Sequence, residues 1–72
     1  MRELLLNALR QHYLGHIETA RANVEVFLEN PVGVGEHPDI AETMDKEISK
    51  IADASDKLKT LDDFFANKTP RI

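Results

Sequence analysis

Two histidines, His12 and His16, stand four residues apart, a spacing that sets both imidazoles on one side of a helix about one turn apart. Such a pair can share one metal ion. The metalloprotease pattern also needs a Glu directly after the first histidine, and that place is held by Tyr13. A third ligand would have to come from Glu18 or from another helix. The plainer reading makes His16 a hydrogen-bonded residue beside an apolar stripe, with the pair able to make association depend on pH, since histidine titrates near neutrality. Gly33-Val34-Gly35 has the opening of a phosphate-binding fingerprint, but lacks its preceding strand, third glycine and βαβ setting. Turn chemistry accounts for it. Any anion at the helix start beyond it would meet Asp39 and Glu42 there already. His37 beside Glu36 and Asp39 forms a small acid–base group, yet catalysis would need a pocket and a nucleophile. The chain has no cysteine and two serines. Helix capping by Glu36 or His37 is the simpler role. The expectation is therefore no catalytic residue, no cofactor and no native metal, with the protein not an enzyme.

These groups need elements to hold them. From Arg2 to about Glu29 the apolar residues Leu6, Leu9, Tyr13, Ile17, Ala20, Val24 and Phe27 recur at steps of three and four, one face of a helix. Leu5, His16 and Leu28 widen that face. Gly15 costs about 1 kcal/mol relative to alanine inside a helix, which points to close approach by another helix. Pro31 disfavours helical backbone at Asn30 and ends the run. The residues 30–37 then form a joint, and Pro38 suits the first turn of a second helix over about 38–66. Its stripe reads Ile40, Met44, Ile48, Ile51, Ser55, Leu58, Leu61 and Phe65, flanked by Ala41, Ala52, Ala54 and Phe64. Residues 67–72 make a frayed tail.

One domain spans the 72 residues. A chain this short buries only about 60% of the surface that its unfolded form exposes. Without cysteine there is no disulfide staple and no thiolate zinc site, which leaves association as the simplest remedy. The longest apolar run is Leu4-Leu5-Leu6, far short of the roughly 20 residues of a membrane span. No secretory leader pattern opens the chain. Net charge is −4, which disfavours a phosphate-backbone binder. Nine of the thirteen acids lie from Glu36 onward, but the second helix interleaves four lysines among them, so its outer face is a mixed-charge surface and no DNA mimic. Neither nucleic acid nor membrane is an expected partner.

The run Val24-Glu25-Val26-Phe27-Leu28-Glu29-Asn30-Pro31-Val32-Gly33-Val34-Gly35-Glu36-His37-Pro38-Asp39-Ile40, with Ile48-Ser49-Lys50-Ile51-Ala52 and Leu61-Asp62-Asp63-Phe64-Phe65, resembles short uncharacterised proteins of large tailed phages. Marine cyanobacterial phages and marine metagenomes are among their sources. The resemblance covers most of the chain from about Val24 to Phe65. It implies a viral product in the host cytoplasm and brings no activity or site residue with it.

The expected architecture is an all-α antiparallel helical hairpin of two long helices, dimerising into a four-helix bundle. Leu5, Leu28, Met44 and Phe64 would stay partly exposed along the open side of one hairpin. The expected function is that of a small interaction or accessory protein, a homodimer that binds a host or phage protein. The alternatives are a structural subunit of a larger assembly and, behind it, metal binding through His12 and His16. With no catalytic set elsewhere, the joint residues Val32, Gly33, Val34, Gly35, Glu36 and His37 are the candidate partner-binding surface.

Overall fold

The structure, a computed structural model, describes residues 1–29 and 40–65. Helix α1 runs Arg2–Glu29 and helix α2 runs Ile40–Phe64. The helical spans expected for 38–39 and 66 lie outside the described residues. Each helix starts and stops on simple terms. Leu5 N–H donates to the Met1 carbonyl at 3.0 Å, and Phe65 N–H donates to that of Leu61 at 2.9 Å. Met1 thus takes the N-cap place of α1 without a polar side chain to help it. At the other end, the Arg2 guanidinium donates to the Phe65 carbonyl at 2.6 Å. A basic group there answers the negative end of α2, whose own last turn has none.

The two helices pack along their length as an antiparallel hairpin. The molecule measures 53 × 23 × 15 Å, which is about one helix thick and two helices wide at the roughly 10–12 Å diameter of a helix with side chains. A core between two such rods is a line rather than a volume. Ala20, Ala54 and Leu61 are the buried apolar residues among those described. Leu6, Tyr13, Ile17, Val24 and Phe27 on α1, with Ile40, Met44, Ile51 and Leu58 on α2, are half-buried along the same seam.

The seam follows a regular alternation of four and three. On α1 it passes through Leu6, Arg10, Tyr13, Ile17, Ala20, Val24 and Phe27; on α2 through Ile40, Met44, Glu47, Ile51, Ala54, Leu58 and Leu61. That seven-residue repeat keeps two straight helices facing each other if they coil slightly about one another. It corrects the expected stripe at several places. Leu9 is 41% exposed at the edge of the seam, and Arg10 turns inward instead. Ile48 is 49% exposed and Ser55 lies outside, while Glu47, at 8%, and Ala54 take the inner places. A pattern that ranks side chains by hydropathy prefers Ile to Glu, but the geometry of two paired helices decides the register. Phe65, expected at the end of the stripe, is exposed as well.

The reading of Gly15 also changes. A methyl group built at Gly15 would meet nothing within 4 Å, so α2 does not approach it. Gly15 sits on the outward face, between the exposed Ala8 and Ala22 at seven-residue intervals. Leu5, Leu28 and Phe64 are exposed as expected, whereas Met44 is half-buried in the seam.

Candidate functional site

Glu47 is the feature that hydropathy could not anticipate. Its carboxylate lies in the seam and is held from two sides. The Asn23 amide donates to Oε1 at 2.8 Å from α1, and the Lys50 ammonium donates to Oε2 at 2.8 Å from the next turn of α2. The Asn23 hydrogen bond first, and the Lys50 bond and charge after it, hold the Glu47 carboxyl below the ordinary carboxylate range against the opposing effect of burial. Both oxygens are therefore occupied, and the group is a structural pin rather than a free base. His16, Thr19 and Ala20 complete a shallow recess of about 300 Å³ around this cluster.

His12 and His16 meet as the spacing required, with ring centroids 4.4 Å apart and planes tilted by 53°. Tyr13 stands 5.8 Å from His12. Both imidazoles are exposed. Glu18, the third ligand considered for them, accepts from Arg21 at 2.8 Å, and on α2 Glu47 accepts from Asn23 and Lys50. Among the described residues no three His, Cys, Asp or Glu side chains converge on one point.

The second concavity lies toward the end of the hairpin where α1 begins. Leu6, Leu9, Tyr13, Leu61 and Phe65 wall an apolar groove of about 420 Å³, with Thr60 and Lys57 at its rim. Asp53, by hydrogen bond and then by charge, raises the Lys57 ammonium above its usual range and keeps it cationic. The polar groups at its rim are few, and the ammonium of Lys57 is held by Asp53 at 3.0 Å. What it can do is accept an apolar side chain beside a cation. Leu9, which fell out of the seam, and Phe65, which follows the last turn of α2, create it. The Leu4-Leu5-Leu6 run and Phe64-Phe65, brought to one end by an antiparallel pairing, were the sequence signal for an apolar patch there.

The joint residues Val32, Gly33, Val34, Gly35, Glu36 and His37, with Asp39 beside them, lie outside the described residues. No helix among the described residues is long and apolar enough to cross a membrane. Against known proteins, no family model matches the chain, and no curated protein or solved structure matches it.

Proposed function

We propose that this chain works by binding, as a homodimer whose two hairpins form a four-helix bundle, and that the bundle serves as a small accessory protein for another macromolecule's assembly or control. The observation that carries the reading is the thinness of the core: Ala20, Ala54 and Leu61 are the buried apolar residues among those described, and a standard protein–protein interface covers about 800 Å² on each partner. The apolar side chains left outside, among them Leu4, Leu5, Val26, Leu28 and Phe64, supply what such an interface would bury. Binding suits this shape better than catalysis, because the groove and the recess between two thin rods bring together no nucleophile, base and water-excluding pocket. The resemblance of Val24–Ile40, Ile48–Ala52 and Leu61–Phe65 to short phage proteins supports a viral product acting in a host cytoplasm on a host or phage protein.

Thermal melting at protein concentrations spread over two decades tests the reading. A folded dimer melts at higher temperature as concentration rises, because association favours the native state by mass action. A melting temperature independent of concentration would refute the dimer. Species larger than a dimer would favour a structural subunit of an extended assembly instead. The accessory role is tested separately by affinity capture from expressing cells, comparing the native chain with a His37→Ala, Glu36→Ala variant of the joint. A specific partner lost in the variant supports it, and no specific partner contradicts it.

A further inference from the structure

We propose that His12 and His16 form a binding site for a divalent transition-metal ion, with copper(II) and nickel(II) preferred to zinc(II). The site stands apart from the dimer reading, since both ligands come from one helix of one chain. The two residues lie one turn apart on α1, both exposed, with ring centroids 4.4 Å apart and planes tilted by 53°. One shared ion sets a spacing of its own. An imidazole nitrogen about 2.0 Å from a metal puts its ring centre about 3.2 Å from that metal. Two such rings at right angles about the ion have centres about 4.5 Å apart, and two at the tetrahedral angle about 5.2 Å apart. The observed spacing matches the right angle. Neighbouring corners of a square-planar or tetragonal site meet at that angle, which favours copper(II) and nickel(II), whereas zinc(II) takes the tetrahedron. Imidazole suits all three ions, and copper(II) heads their general order of affinity.

The surroundings admit a cation. Besides the pair itself, the residues three and four places from either histidine along α1 are Ala8, Leu9, Tyr13, Gly15, Thr19 and Ala20, with no Lys or Arg among them. Lys50 lines the recess beside His16, but its charge is matched by Glu47 at 2.8 Å. Arg21 is matched by Glu18 at the same distance. The chain as a whole carries −4, which draws cations toward its surface.

Two protein ligands leave the other coordination positions to water, so the ion exchanges with solvent, unlike the closed site of a structural zinc. A methyl group at Gly15 would meet nothing within 4 Å, and that open space lies in the turn between the two histidines. Gly15 is also the residue of α1 that favours a helix least. An ion held by both rings fixes that turn, so metal binding adds to the stability of α1.

Isothermal titration of the untagged full chain with copper(II), nickel(II) and zinc(II) at neutral pH tests the site. One ion should bind per chain, with copper(II) tightest and nickel(II) ahead of zinc(II). His12→Ala and His16→Ala should each weaken nickel(II) binding at least tenfold. Both changes fall at exposed helical positions, where alanine is favourable, and circular dichroism checks that the helices persist. His37→Ala removes the remaining histidine and should leave binding unchanged. Nickel(II) should also raise the melting temperature of the native chain and of His37→Ala, but not that of His12→Ala. Native affinity in both His12→Ala and His16→Ala would overturn the site, as would a native chain that binds no metal below millimolar concentration. Zinc(II) bound as tightly as nickel(II) would overturn the right-angle geometry.

Discussion

Asn23 on α1 donates a hydrogen bond to Glu47 on α2 at 2.8 Å, joining the helices through a carboxylate that sits in the apolar seam. The pair fixes which turn of one helix faces which turn of the other, a role that a single polar group in a helix–helix seam can serve. Asn23→Ala leaves Glu47 with Lys50 alone and should lower the melting temperature by about 5 °C, as expected for one lost hydrogen bond in a chain of this size. Glu47→Leu removes the polar group altogether. It should melt at or above the native temperature but blur the pairing register, seen as faster amide exchange at the helix ends. An unchanged melting temperature in Asn23→Ala would remove the pin.

The same carboxylate makes stability depend on acid. Its folded-state pKa lies below the ordinary value because Asn23 and then Lys50 favour the charged form. A group depressed in this way contributes stability that is fully present above its unfolded pKa, about 4.3 for glutamate, and loses it as pH falls through the folded value. The difference between the urea midpoints of the native chain and Glu47→Gln should therefore be largest near pH 6 and shrink as pH falls below the ordinary glutamate range. A difference that does not shrink in acid would contradict the assignment.

Gly15 offers the opposite kind of change. An added methyl group meets nothing in the hairpin, and alanine is better than glycine inside a helix by about 1 kcal/mol. Gly15→Ala should stabilise the hairpin by that amount in denaturant unfolding, partly by restricting the unfolded chain. A destabilised Gly15→Ala would indicate that a neighbouring chain crowds this position.

Arg10 reaches from a seam position of α1 to Asp62 of α2, with the guanidinium one-third exposed and the carboxylate about half exposed. Solvent weakens such a pair. Asp62→Asn should change stability by less than about 1 kcal/mol. Arg10→Leu continues the apolar seam and should match or exceed the native stability, as measured by the urea midpoint. A large loss in either variant would mean that the ion pair holds the open end shut.

The order of elements was legible in the sequence because its signals are local. Steps of three and four through Leu6, Leu9, Tyr13, Ile17, Ala20, Val24 and Phe27 located α1 and its inner face apart from Leu9, whose place Arg10 takes. Antiparallel pairing of two long helices then followed from two facing stripes joined over a short span. The register of α2 was not legible, because Glu47 looks like a surface residue until Asn23 and Lys50 are placed around it. Ile48 drew the stripe outward for the same reason. A strict alternation of four and three, already present in α1, was the signal that would have placed Glu47 and Ala54 inside. The groove at Leu9 and Phe65 could not be read from either helix alone, since it exists only where two chain ends meet. The joint, chosen as the partner-binding surface for its unusual composition, lies outside the described residues.

The central claim is that the working form is a pair of hairpins. Sedimentation equilibrium of the purified native chain at neutral pH measures it directly. The account predicts a single species with twice the 8.1 kDa mass of the chain at micromolar concentration. A mass of one chain across the same range would contradict it.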